Sequence, residues 1–267
     1  MAEEQKTQVA QAAMSAKKTS PNSDNLFADF DFGTLTLTLE DLLKNGAHFG
    51  HQKSRRHPKM SRYVYTTRNG ISIINLAQTK VQMERTLKFL ETVKKSGKKI
   101  LFVGTKKQAR DLILSAARYC KMPYVVERWL GGTFTNFEAI HKRVKYMLKS
   151  RESLEKGDYR KYTKFEQMKK TEEIETLEKK MGGIATMDEL PGAIFVTDLK
   201  ADILAVREAH QRKIPIVAIA DTNVDPSLAA YIIPANDDAI SSIKFILAHI
   251  CKTLGEGEDV TVKEPKS

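Results

Sequence analysis

The chain has 267 residues, with 44 Lys plus Arg against 33 Asp plus Glu and a formal charge of +11. Such a length suits one large domain carrying an insertion, and the cationic excess, at a pI near 9.4, points to a polyanionic partner. No apolar run reaches the roughly 18 residues that a membrane-spanning helix needs, and Cys120 and Cys251, far apart in sequence, support neither a disulfide framework nor a zinc ribbon.

Residues 1–25 are rich in Gln, Lys, Ala, Ser and Asn and cannot bury enough surface to offset the entropy of ordering, so 1–37 reads as a partly disordered extension. Its opening Met1-Ala2-Glu3-Glu4 lacks the apolar segment of a secretory signal, which with the reduced cysteines suggests the cytoplasm. Leu26, Phe27, Phe30 and Phe32 are too aromatic for a free tail and suit docking on the body or on a neighbour. Thr38 with Asp41 makes an imperfect capping box for a short helix that Asn45-Gly46 can close.

Short apolar, β-branched runs follow at Ile71 to Leu76, Ile100 to Val103, Tyr124 to Val126, Ile194 to Val196, Ile216 to Ala220 and Tyr231 to Ile233. Strands buried on both faces have this look. Helical patterns alternate with them at Val81 to Val93, Gln108 to Cys120, Ala201 to Gln211 and Ala239 to Leu254. The alternation predicts an α/β domain over 38–133 and 182–255, a parallel sheet with helices on both faces. Residues 134–181 interrupt it without strand character. Phe137, Ile140, Val144, Met147 and Leu154 keep helical spacing, Lys156-Gly157-Asp158 supplies a turn, and the return carries Phe165 and Met168, then Ile174, Leu177 and Met181, with one shift of phase. An inserted antiparallel helical, coiled-coil-like hairpin is the expectation. Residues 256–267 read as a flexible tail.

From Leu42 to Met83 there is no acid, whereas Lys53, Arg55, Arg56, Lys59, Arg62 and Arg68 are basic, with His51, His57, Tyr63 and Tyr65 interleaved. Cations that neutralise phosphates beside flat rings that stack on bases are the vocabulary of RNA binding. A solvated basic face is the plainer alternative. Lys106 and Lys107 follow Gly104-Thr105 at a helix start, where backbone N–H groups favour an anion. Neither dinucleotide nor triphosphate loop spacing is present. Arg128 reads as a phosphate contact and Trp129 either as an RNA contact or as a buried anchor for the insertion, whose Lys142, Arg143 and Lys145 extend the cationic surface. His48, His51 and His57 raise a metal site but lack a neighbouring carboxylate or thiol, so no metal and no other cofactor is expected. Asp198, Asp202, Asp221, Asp225, Asp237 and Asp238 fall at strand ends, where α/β enzymes keep their sites, yet no nucleophile or phosphate loop accompanies them, and caps and turns are the expected role. A Rossmann-like enzyme acting on a phosphorylated small molecule stays open as a second reading, and a free RNA-binding regulator as a third.

Leu42-Leu43-Lys44-Asn45-Gly46-Ala47-His48-Phe49-Gly50-His51, with Pro58-Lys59-Met60, resembles the opening of the bacterial small-subunit ribosomal protein S2 family. Ile100-Leu101-Phe102-Val103-Gly104-Thr105-Lys106, Arg128-Trp129-Leu130-Gly131-Gly132, Arg207-Glu208-Ala209, Asp221-Thr222-Asn223 and Asn236-Asp237-Asp238-Ala239-Ile240 resemble it in the same order, from about Leu39 to Leu254. The resemblance implies a Rossmann-like, flavodoxin-like fold with a helical hairpin and no catalytic activity. It implies binding to small-subunit ribosomal RNA where head and body meet, late joining in assembly, and contact with neighbouring ribosomal proteins. Among those neighbours is the large first protein that captures messenger RNA. No small-molecule substrate and no membrane enter this expectation.

Overall fold

The structure, a computed structural model, describes Phe27, Phe32 and residues 35–255. The expected extension over 1–25, the residues Leu26 and Phe30, and the tail 256–267 lie outside the described residues. In chain order the elements are α1 (Leu39–Lys44), β1 (Phe49–Gln52), β2 (Val64–Arg68), β3 (Ile71–Ile74), α2 (Leu76–Lys95), β4 (Ile100–Val103), α3 (Arg110–Tyr119) and β5 (Tyr124–Val125). Then come α4 (Phe137–Glu155), α5 (Lys164–Met181), β6 (Ala193–Val196), α6 (Ile203–Gln211), β7 (Ile216–Ala220), β8 (Tyr231–Pro234) and α7 (Ile240–Leu254).

Five strands pair in parallel in the order β5-β4-β6-β7-β8, with Phe102 beside Phe195, Phe195 beside Val217 and Val217 beside Tyr231. Numbered among themselves they run 2-1-3-4-5, the flavodoxin-like order of the doubly wound fold. Every residue of β4, β6 and β7 is buried, so side chains of opposite pleat enter two separate cores. Ile100, Phe102 and Phe195 pack with Met83 and Leu90 of α2, Ile113 of α3 and Ile246 and Leu247 of α7. Leu101, Val103, Ile194 and Val196 pack on the other face with Val206 and Ala209 of α6, and with Trp129, Phe134, Val144 and Leu177. Helices on both faces are therefore what the apolar runs require.

The run at Ile71 departs from expectation. It is not a member of the parallel sheet but the middle strand of a separate antiparallel sheet, β1-β3-β2. Its partners hide in the sequence because β1 reads FGHQ and β2 is almost wholly exposed, so neither carries an apolar run. The turn between β2 and β3 is legible: Arg68 pairs with Ile71, and Asn69 and Gly70 between them both have positive φ, 50° and 77°. That is the two-residue hairpin turn which Asn-Gly favours.

Two helices, α4 and α5, fill the span expected of the insertion, separated by Gly157, in left-handed conformation, and a short turn at Asp158–Lys161. Val144 and Met147 of α4 share a buried cluster with Leu177 and Met181 of α5, and Arg151 Nη1 donates to Glu178 Oε1 at 2.6 Å. A capping box starts α5, Thr163 Oγ1 accepting from Glu166 N while Glu166 Oε2 accepts from Thr163 N.

Candidate nucleic-acid interface

The acid-free basic segment is a compact excursion from the small sheet that is tied to the loop after β7, at the C-terminal end of the large one. Gly50 makes this possible, because a Cβ there would lie 2.6 Å from Thr222 Cγ2 and 2.9 Å from the Ser72 carbonyl oxygen. With β1 pressed so close, His51 N donates to Thr222 Oγ1 at 2.9 Å and His57 N to the Thr222 carbonyl at 2.8 Å. Met60 and Tyr63 plug into the core beneath. Above it, Lys53, Arg55, Arg62 and Arg68 are exposed, Arg56 is half-buried, and Tyr65 stands 76% exposed. Of the two tyrosines expected to stack, then, Tyr65 faces solvent, while Tyr63 is buried under the Arg62 guanidinium, 4.8 Å from its ring centroid.

Lys59 is engaged within the chain. Its Nζ donates to Asp225 Oδ2 at 2.7 Å and to Ser227 Oγ at 2.9 Å, and these contacts, Lys59 first, hold the Asp225 carboxyl well below the usual carboxylate range. His57 caps the turn at Pro58, its Nδ1 accepting from Lys59 N at 3.3 Å.

The strand-end acids gather where β4, β6, β7 and β8 finish. Lys106 Nζ stands among three of them, 3.2 Å from Asp198, 3.0 Å from Asp237 and 2.7 Å from Asp238. Burial works against its charge, yet the bonds to Asp238 and Asp237 more than compensate and its pKa is raised. Lys107, by contrast, is exposed. Burial, then the neighbouring charges of Asp198 and Asp221, push Asp237 up to about 7 against the pull of Lys106. Burial likewise lifts Asp202 to about 6, opposed by Thr105, whose Oγ1 donates to Asp202 Oδ1 at 2.8 Å. The remaining acids serve turns: Asp198 Oδ1 accepts from Lys200 N and Ala201 N, and Asp225 Oδ1 from Ser227 N. The crevice beside β4 and β6, where this strand order places ligands in enzymes, is thus spanned by Thr105–Asp202 and Lys106–Asp198 contacts.

The three histidines do not converge. His48 packs on Phe49 with ring centroids 4.0 Å apart, and His57 lies beside Asp225. His51 alone joins the acids, Nδ1 2.9 Å from Asp221 Oδ2 and Nε2 3.6 Å from Asp238, and the Asp221 bond raises its pKa against burial. Ligand atoms of His51, Asp221, Asp237 and Asp238 lie within 4.8 Å of one another, a donor set that could hold a divalent cation. The carboxylates missing from the local sequence arrive from the ends of other strands.

Trp129 is 5% exposed, edge-on to Phe134 with centroids 5.0 Å apart, and its Nε1 donates to Glu208 Oε1 at 3.1 Å. Glu208, on α6, also accepts from the backbone N–H of Gly132 at 2.8 Å, Phe134 at 2.9 Å and Thr135 at 3.2 Å. One turn on, Arg212 Nε donates to the Phe134 carbonyl at 2.9 Å. A single helix face therefore grips the loop that leads into α4, and Trp129 belongs to that anchor. Arg128 is exposed beside it, as are Lys142, Arg143 and Lys145 along α4. Neither Glu208 nor Arg212 was singled out by residue type, since a charged pair on a helix looks like any solvated face.

A family model described as Ribosomal protein S2 matches residues 42–257, across both sheets and the α4–α5 pair. The chain belongs to the ribosomal protein S2 family. Family members named small ribosomal subunit protein uS2 include one from Roseiflexus castenholzii, 48% identical over 223 residues that cover 84% of this chain and 85% of that protein. One from Chloroflexus aggregans is 44% identical over 221 residues, 83% of this chain and 93% of that protein, and one from Thermus thermophilus 46% over 212 residues, 79% and 83%. Ribosomal protein S2 is structural and non-enzymatic, so the acids at the strand ends are read here as scaffold and not as catalytic groups.

Proposed function

We propose that this chain is a structural constituent of the small ribosomal subunit in a bacterial cytoplasm, holding ribosomal RNA by charge and shape. The observation that carries the reading is the excursion from Lys53 to Arg68, where exposed Lys53, Arg55, Arg62 and Arg68 stand on a segment without acids, braced by the Thr222 backbone and side chain. The Lys and Arg of such a surface displace counterions from phosphates, and the stiff sheet beneath fixes the spacing of the charges. Lys107, Arg128, Lys142, Arg143 and Lys145 extend the footprint toward and along α4. His51, Lys59, Lys106 and Trp129 serve from within by holding the segments that present these cations, with Arg56 and His57 at the margin.

The relatives' name, small ribosomal subunit protein, supports the assignment to that subunit. Seating where head and body meet, late joining, and a docking place for the first, messenger-capturing protein belong to the same proposal. The α4–α5 pair acts in it as a hairpin arm reaching neighbouring RNA or protein.

Co-sedimentation with small subunits at rising salt tests the proposal. The wild-type chain is expected in the small-subunit fraction and to leave it steeply with salt, whereas the combined variant Arg55→Ala, Arg62→Ala and Arg68→Ala dissociates earlier. Sedimentation of the wild-type chain apart from subunits, or a variant retained as tightly as the parent, overturns it.

A further inference from the structure

Cys120 and Cys251, far apart in sequence, meet in the fold. Cys120 is the residue that caps the C-terminal end of α3, and Cys251 lies in the last turn of α7. Both are free thiols within one buried cluster, Cys120 at 5% exposure and Cys251 at 0%. A single carbonyl locates them, the Ala116 oxygen accepting from Cys120 N at 3.0 Å and from the Cys251 thiol at 3.9 Å. The two side chains also meet each other: the Cys251 thiol is hydrogen-bonded to that of Cys120, and this bond, then burial, pushes its pKa up. Contact between the sulfurs meets the first condition for a bridge, that the two backbones lie close enough for the side chains to span them. The two sites differ in access. Cys120 stands at a helix end, followed by exposed Lys121 in left-handed conformation, φ 53°. Helix ends open at lower cost than helix interiors, so an oxidant reaches Cys120 first.

We propose that Cys120 and Cys251 are an oxidation site for hydrogen peroxide, closing to a disulfide that joins the C-terminal end of α3 to that of α7. Cys120 meets the oxidant and Cys251 resolves it. The Cys120 thiolate attacks one peroxide oxygen, the O–O bond breaks, and a sulfenic acid forms while the other oxygen takes a proton and leaves as water. Cys251 then gives up its proton and attacks the Cys120 sulfur. The S–S bond forms, and the sulfenic oxygen leaves as a second water. Two thiols together lose two electrons, and one peroxide is reduced by the same two. The hydrogen bond and burial hold Cys251 as a thiol at neutral pH, which suits it to the second step and not to the first. A resolving thiol in contact with the sulfenic acid stops the reaction short of the irreversible sulfinic acid, and a small dithiol reverses it by exchange.

The test exposes the full native chain to hydrogen peroxide, with Trp129 fluorescence reporting that it stays folded. The chain is then denatured in excess alkylating reagent and its peptides are weighed by mass spectrometry. The wild-type chain is expected to yield a linked Cys120–Cys251 peptide, lighter by two hydrogens than the two reduced peptides together, and dithiothreitol restores alkylation of both. Cys251→Ala leaves Cys120 without a resolving thiol, so its sulfinic acid accumulates instead. Cys120→Ala leaves Cys251 open to alkylation. The linked chain unfolds at a higher urea midpoint than the reduced one, because the bridge restricts the unfolded state. Cysteines that both remain alkylatable in the treated wild type, a Cys120 sulfinic acid without the linked peptide, or a link between two chains overturns the proposal. So does a link that forms only in urea sufficient to unfold the chain, since the site then is not one of the folded protein. Oxidation of Cys251 at the same rate in Cys120→Ala as in the wild type overturns the order of the two sulfurs.

Discussion

Glu208→Ala should destabilise the chain by about 3–6 kcal/mol, taking about 1.5–3 kcal/mol for each hydrogen bond to a charged group. Glu208 accepts from five donors, Trp129 Nε1, the N–H groups of Gly132, Phe134 and Thr135, and Thr135 Oγ1. Summing all of them would rival the whole stability of a domain, roughly 5–15 kcal/mol. Water can replace the bonds on the half-buried side, so only the donors of Trp129 and Phe134, 5% and 0% exposed, are counted in full. Trp129 is the only tryptophan, so its fluorescence in a urea titration reads the affected loop directly. Glu208→Gln keeps an oxygen for Trp129 and Gly132 but turns an amide toward Phe134 and Thr135, and should cost about half as much. The pH profile gives a second check. Burial opposes ionisation of Glu208, but the N–H donors outweigh it and its pKa falls below 4.5. A depressed carboxylate contributes stability that is present above its unfolded pKa and vanishes as pH drops through the folded one, so variant and parent should converge in acid. Glu208→Ala within about 1 kcal/mol of the parent at neutral pH would refute this account of the loop.

Gly50→Ala should cost about 1–3 kcal/mol by overpacking against Thr222 and the Ser72 carbonyl; adding Thr222→Ser should restore only part of the urea midpoint, because the Ser72 oxygen is backbone. His249, 5% exposed, has its pKa lowered to about 4 by burial, aided by Lys252. The unfolded chain therefore binds the extra proton between about 6.5 and 4, and stability falls as pH is lowered through that window; His249→Leu should flatten this fall in unfolding curves taken at several pH values. Lys59→Ala should leave the salt slope of subunit binding at its parental value, since that ammonium already serves Asp225, whereas Arg55→Ala and Arg62→Ala should each reduce the slope by about one. Equal slopes for all three variants would mean that exposure does not select the phosphate contacts.

The parallel sheet was legible because β4, β6 and β7 are buried on both faces and so must be apolar without interruption. The small sheet was not, because one strand is polar and another exposed; its one strong signal, Asn69-Gly70, lay inside a stretch dominated by charge. The exposure of the candidate interface residues was legible in part for a related reason. Charge shows in a sequence, but the partner of a charge does not: Lys59 and Lys106 look like Arg55 and Lys107 until Asp225 and Asp237 arrive from residues far along the chain. Trp129 likewise resolves as an anchor only when Glu208 is seen beneath its indole.

The grip of α6 on the loop before α4 has a mechanical result. At 1.5 Å per residue, the 19 residues of α4 reach about 28 Å from their root, so a tilt of roughly 10° there carries the far end through about 5 Å. A hydrogen bond made at that end would not survive such a displacement. Where the distant turn lands is thus governed by Glu208 and Arg212, which are remote from it, and damage at this pivot would misplace a tip whose own residues are intact.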